Sequence, residues 1–137
     1  MNPYHINIED KSAELYKLND GRFQVTKNGE FGQLLVGTNY VLAEKEFAEY
    51  LQALDIQRVS YKQAIIWNRR ANEEYKNHME LIISHHFNSS DIHDINTEGN
   101  QFLIMNNSYL FVSQKLKQEL EKSKYKFTYT EGLNHFA

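Results

Sequence analysis

QFLIMNNSYLFVSQKLKQELEKSKYKFTY, Gln101 to Tyr129, reads as one complete strand, turn, strand, helix, strand unit with a signal at every junction. Gln101 to Met105 is an apolar run of strand length, Asn106-Asn107-Ser108 is turn chemistry, and Tyr109 to Val112 is a second β-rich run. Ser113 stands where a helix N-cap belongs, its hydroxyl able to accept from the first free backbone N–H groups. Gln114 to Lys122 follows as the helix, with Leu116 and Leu120 one turn apart on a single face and the lysines and glutamates between them turned to water. Lys122 and Lys124 suit the negative pole of its dipole. Tyr125, Phe127 and Tyr129 then alternate with Lys126 and Thr128, the period of a half-buried strand.

Working outward, the same unit recurs. Tyr40 set against Tyr109, 69 residues on, lays YVLAEKEFAEYLQALDI over YLFVSQKLKQELEKSKY: Val41 and Leu42 meet Leu110 and Phe111, Phe47 meets Leu116, Leu51 meets Leu120, and Ile56 meets Tyr125. Gln33 to Val36 aligns with Gln101 to Ile104 at 68 residues, which requires one extra residue in the second turn. The pattern predicts two related strand-helix-strand units. Any two amphipathic helices flanked by strands would align about as well, so the alternative of a chance match stays open.

A second helix is expected over Val41 to Leu54, burying Ala43, Phe47, Tyr50, Leu51 and Leu54 and exposing Glu44, Lys45, Glu46, Glu49 and Gln52. Tyr4, Ile6 and Ile8 alternate as a first strand, while Leu15 and Leu18 fit either a short helix or a second strand. Asn19-Asp20-Gly21 and Lys27-Asn28-Gly29 are turns around the alternating Phe23 and Val25. Val59 to Trp67 reads as a strand with a bulge, Asn68 to Glu74 as a loop, and Met79 to Ile83 as a strand. With one proline, Pro3, and no low-complexity linker, the 137 residues form a single α+β domain of mostly antiparallel strands with two amphipathic helices.

Composition narrows the function. Hydrophobic residues make up 41% and aromatics 13%, which excludes a disordered chain. Cysteine is absent, ruling out disulfides, thiol catalysis and cysteine-held zinc or iron–sulfur centres. The formal charge of −3 argues against general nucleic-acid binding, which needs a clustered basic surface. No apolar run approaches the ~18 residues of a membrane span and no secretory segment opens the chain, so a cytoplasmic protein is expected.

Chemistry-bearing clusters are few. His78, His85, His86 and His93, with Asp91 and Asp94, are the residues from which a metal-dependent enzyme could be built, but their spacing matches no zinc signature and loop histidines are commonly just hydrogen-bonded. No serine has a glycine-flanked elbow, and the stretch around Gly29 and Gly32 lacks a phosphate-loop pattern. These residues call for no cofactor and no enzyme. Partner binding is the better reading. Trp67-Asn68-Arg69-Arg70 is the one concentrated aromatic and basic stretch, of a kind enriched at hot spots; the competing reading places Trp67 in the core, with Arg69 and Arg70 paired to Glu73 and Glu74. Ser89 to Gly99 offers Asp91, Asp94 and Glu98 to a basic partner, or is a plain connection whose Ile92 and Ile95 anchor one helical turn capped by Ser89 or Ser90.

The run from Asn72 to Phe127, with NEEY, the D-I-x-D-I segment from Asp91 to Ile95 and YLFVSQKLKQELEKSKYKF, resembles the C-terminal part of immunity proteins from bacterial polymorphic-toxin systems, and among them immunity family eleven, a former domain of unknown function. In that group an aromatic strand ending in Phe, Val and Ser leads into a Lys/Leu-rich helix and a short aromatic strand; the matching positions are Tyr109, Phe111, Val112, Ser113, Leu116 and Leu120. Many members carry a glycine at the start of the final strand, where Ser123 and Lys124 stand here. The resemblance implies stoichiometric neutralisation of a cognate toxin; the net charge and the lack of a long apolar run leave no nucleic acid and no membrane as expected partner. An adaptor module of a mobile element is the alternative reading.

Overall fold

The computed structural model describes residues 2–136. Among the described residues thirteen strands and two α-helices form an α+β domain built on three sheets, in which antiparallel pairs dominate. In the first sheet β4 (Leu34–Gly37), β5 (Tyr40–Glu44), β9 (His78–Ile83) and β6 (Val59–Gln63) lie in that order, all antiparallel. In the second sheet the order is β10 (His86–Phe87), β11 (Phe102–Met105), β12 (Tyr109–Val112), β1 (Tyr4–Asn7) and β13 (Thr128–Glu131), with β10 and β11 parallel. A covering sheet consists of β2 (Glu14–Lys17), β3 (Phe23–Lys27), β7 (Ile66–Asn68) and β8 (Glu73–Tyr75).

Two equivalent units stand out in this topology. Each starts with a hairpin, β4–β5 or β11–β12, runs into a helix, α1 (Lys45–Gln52) or α2 (Gln114–Lys122), and returns as a strand, β6 or β13. In both, the returning strand is separated from the hairpin by one antiparallel strand brought from elsewhere, β9 in the first unit and β1 in the second. The two-residue turn Thr38-Asn39 against the three-residue turn Asn106-Asn107-Ser108 is the one-residue difference that the alignment requires. Matching backbone bonds close both hairpins: Glu44 N–H donates to the Gln33 carbonyl and Ser113 N–H to that of Gln101, each at 2.9 Å. The units also touch through equivalent places. Asn39 N–H donates to the Asn107 carbonyl at 2.8 Å, turn to turn. Tyr50 donates from its hydroxyl to the carbonyl of Glu119, its counterpart 69 residues on, at 3.2 Å.

Burial explains the local sequence. One core joins the units: Ile6, Leu34, Val41, Phe47, Leu51, Leu81, Phe102, Leu110, Val112, Leu116 and Leu120 pack together, covered by both helices. The opposite face of the first sheet, with Leu35, Tyr40 and Leu42, is sealed by Leu15, Phe23 and Ile66 of the covering sheet. The opposite face of the second sheet, with Phe87, Leu103, Met105 and Phe111, is covered by Ile92 and Ile95 of the 89–95 segment. Hairpins buried on both faces need continuous apolar runs, which is what LLV, YVLA, FLIM and YLFV are.

That double burial corrects the expected helix over 41–54. Tyr40 to Glu44 form a strand paired to β4 and β9, the helix occupies only Lys45–Gln52, and Ala43 is buried as a strand residue while Ala48 takes a core place in the helix. An unbroken apolar run does not distinguish a doubly buried strand from the start of a buried helix. Val59 to Trp67 divides at Ala64 and Ile65: Gln63 ends in the first sheet and Ile66 begins in the covering sheet, so the expected bulge is a change of sheets. Asn68 to Glu74 is a tight hairpin turning at Asn72, whose φ is +51°, and not an open loop. The pairing of the last strand begins only at Thr128, although Tyr125, Phe127 and Tyr129 all pack on the shared core.

Candidate partner-binding surfaces

The eight residues expected to contact a partner fall into two groups. Trp67, Arg69, Arg70, Glu73 and Glu74 sit together on the β7–β8 hairpin, at one edge of the covering sheet. Asp91, Asp94 and Glu98 lie in the segment that runs along the outer face of the second sheet, and the shared core lies between the two sheets. The structure does not bring the groups together.

On the hairpin, strand alternation puts Ile66 into the core and turns Trp67 the other way. Trp67 is half-buried beneath the guanidinium of Arg22, 4.3 Å from the ring centroid, and this corrects the reading of the tryptophan as core. The arginine above it is held by Asp20 at 2.9 Å and Glu74 at 3.5 Å. The Asp20 partner holds the Arg22 guanidinium above its usual pKa, and Arg22 in turn keeps Asp20 below the carboxylate range. Glu73 accepts from the Tyr75 hydroxyl at 2.8 Å, an interaction that raises the pKa of that phenol. The expected pairing of Arg69 and Arg70 with Glu73 and Glu74 is therefore replaced by Arg22 and Tyr75, and both arginines are exposed. Arg22 was not foreseeable: it is remote in sequence and reaches Trp67 only because β3 pairs with β7.

The second group lies on a surface of different character. Ser89–Asp91 form a 3-10 turn preceded by Asn88 without a side-chain cap, in place of the cap expected from Ser89 or Ser90. Ile92 is buried and Ile95 half-buried beneath it, as the anchoring role requires, which leaves Asp91 and Asp94 exposed. Gln101, itself buried, fastens the remainder by donating to the carbonyls of Asn96 at 3.2 Å and Glu98 at 2.6 Å. Beside this segment an aromatic group runs from the 3-10 turn Asn134–Phe136 into the sheet: Tyr109 and Phe136 meet edge to face at 4.9 Å, and Phe87 meets Phe111 at 5.2 Å. Tyr109 and Phe136 are 39% and 36% exposed, around a depression of about 460 Å³ lined also by Ser89, Met105, Asn106 and Leu133. In the first unit the equivalent Tyr40 lies under the covering sheet, its hydroxyl accepting from Leu15 N–H at 3.1 Å.

Charge is segregated on the same scale. Residues 2–10, 84–113 and 128–136, which build the second sheet and its cover, contain Glu9, Asp10, Asp91, Asp94, Glu98 and Glu131 and no lysine or arginine. They carry a formal −6; set against a net −3 for the chain, the remainder carries +3. Glu9 is paired with Lys11, just outside these ranges, at 3.1 Å, while Asp91, Asp94 and Glu98 are exposed together on the segment that covers the second sheet.

No family model, curated protein or solved structure matches the chain.

The histidines expected as an alternative centre are dispersed by the fold. His78 is buried on β9 with its Nε2 2.8 Å from the Gly32 carbonyl, His85 lies 2.7 Å from Gln101 Oε1, His86 lies 2.9 Å from the Ile83 carbonyl, and His93 lies 3.1 Å from Asn2 Oδ1. Among the described residues no three His, Asp or Glu side chains are grouped to hold a metal ion, and no helix is long and apolar enough to cross a membrane.

Proposed function

We propose that this chain is an immunity protein that binds a cognate bacterial toxin one to one and blocks it, using the acidic face around Tyr109. The observation that carries the reading is the coincidence, beside the outer face of the second sheet, of exposed Asp91, Asp94 and Glu98 in a segment without lysine or arginine and two part-exposed aromatic rings over an apolar depression. Such a face suits a basic partner: the charge speeds encounter, and the rings supply the central anchors on which affinity depends. The likeness of Asn72 to Phe127 to immunity family eleven supports the same reading, since Tyr109 and Phe111 of its motif lie on this face. The Trp67 hairpin is the weaker candidate contact, because the tryptophan face is already occupied by Arg22.

Co-expression with the product of the adjacent upstream gene tests the proposal, reading host survival and co-purification. Wild type should rescue growth and form a one-to-one complex. Asp91→Lys with Asp94→Lys, or Tyr109→Ala, should lose both, while Trp67→Ala with Arg69→Ala should retain them. Rescue lost only on the hairpin would move the interface, and a wild-type protein that neither protects nor binds would end the immunity reading. A harmless neighbour that co-purifies through the same face would instead support the adaptor alternative.

A further inference from the structure

A cavity of about 270 Å³ opens where the two hairpin turns meet, lined by a set of residues distinct from that of the Tyr109 depression. Its walls are largely apolar, formed by Val36, Val41, Leu81, Ile83 and Ile104, with Ile82 at 47% exposure also in its lining. One carboxylate is set among them. Glu80 on β9 has a side chain only 8% exposed, and its partner is Lys17 of edge strand β2, whose Nζ approaches to 2.7 Å while its own side chain stays 40% exposed. A carboxylate this deeply placed requires a cation, because burying it unpaired would cost several kcal/mol. The cation here arrives on a flexible four-carbon stem from outside, and the neighbouring polar groups are otherwise engaged: His86 with the Ile83 carbonyl and the Tyr40 hydroxyl with Leu15 N–H.

We infer that this cavity is a binding site for a small organic cation, a primary alkylammonium, whose head replaces the Lys17 ammonium on Glu80 and whose apolar body lies along Val36, Val41 and Ile104. Lys17 is the tethered occupant of the same site. Its high local concentration makes a free amine a competitor, which places the affinity of the intact protein in the millimolar range. The volume is near the lower end of ligand pockets, roughly 300 to 1,000 Å³, so the fitting amines are short.

The test is an amide NMR titration of the folded protein with n-butylammonium and, at matched ionic strength, with 1-butanol. Saturable shifts at Glu80, Ile82 and His86 are expected with the amine and not with the alcohol. Lys17→Ala should tighten the amine by about tenfold, the factor for a pair closed about nine-tenths of the time. Glu80→Gln should abolish saturation. Shifts of equal size with the alcohol, shifts that survive in Glu80→Gln, or no response of wild type to tens of millimolar amine would each overturn the inference. The wild-type comparison of amine with alcohol decides the matter even where Lys17→Ala fails to fold. A matching response to Nα-acetyl-lysinamide would assign the cation to a protein side chain, and a response to butylammonium alone to a free amine.

Discussion

Ser113 shows how much one residue of this chain holds. Completely buried, its hydroxyl accepts from Gln101 N–H at 3.0 Å and from Leu116 N–H at 3.4 Å and donates to the Gly99 carbonyl at 2.6 Å. The helix cap was legible from Ser113 standing before an amphipathic run; the links to Gly99 and Gln101 were not, because they join residues brought together only by the hairpin. Ser113→Ala is expected to cost about 2 kcal/mol, seen as a lower urea midpoint at unchanged slope, since it removes a cap and leaves buried groups unpaired. Glu44 occupies the same place before α1 without a side-chain cap bond, and Glu44→Ala should cost under about 0.5 kcal/mol. Two tyrosines make the opposite case. Tyr61 and Tyr129, on the returning strands of the two units, have buried hydroxyls without a hydrogen-bond partner among the described residues, and burial pushes both pKa values up to about 12. An unfolded tyrosine titrates near 10, so the folded state holds these protons more tightly; their stabilisation is complete below about pH 10 and is lost as pH rises through 12. Tyr61→Phe and Tyr129→Phe should flatten that alkaline decline in denaturation midpoints. At neutral pH each should be neutral or stabilising by up to about 1 kcal/mol, because an unpaired hydroxyl leaves the interior.

At the scale of elements, the Gln101–Tyr129 unit was legible nearly residue by residue, because every boundary carries its own chemistry: paired asparagines in the turn, with φ of +53° and +57°, a serine cap, and lysines at the helix end. Its last turn also accounts for the missing glycine. Ser123 leaves the helix in an extended conformation, and its hydroxyl donates to the Leu120 carbonyl at 2.6 Å, so no left-handed residue is needed there. The first unit was less legible, since Glu44 gives no cap signal and YVLA runs straight into the helix. Its hairpin depends on a different device. A Cβ built at Gly37 would collide with the Tyr40 ring, which is wedged under the covering sheet by its bond to Leu15. Gly37→Ala should therefore lower stability by about 1–3 kcal/mol in urea denaturation, because that ring has little freedom to yield. Recovery of the loss in Gly37→Ala with Tyr40→Leu would identify the collision as its cause.

Across the whole molecule, the second unit is completed by the other end of the chain. β1 lies between β12 and β13, and its Ile6 joins the shared core, so the unit that reads as self-contained in sequence lacks its middle strand without residues 4–7. Deleting residues 2–8 should abolish dispersed amide NMR signals from both units together, because one core serves them both; a folded first unit alone would show that they are separable. By itself, the sequence determined the α+β class, the second strand–helix–strand unit, and Asp91, Asp94 and Glu98 as acidic candidates, since these follow from local periodicity, capping and composition. Tertiary structure alone decided that the two units share one topology, which strands lie between others, that Tyr40 is covered while Tyr109 is not, that Arg22 covers Trp67 and takes Glu74 as its partner, and that Lys17 meets Glu80. Those outcomes depend on contacts between residues far apart in the chain, and such pairing leaves no periodic trace in the sequence of either partner.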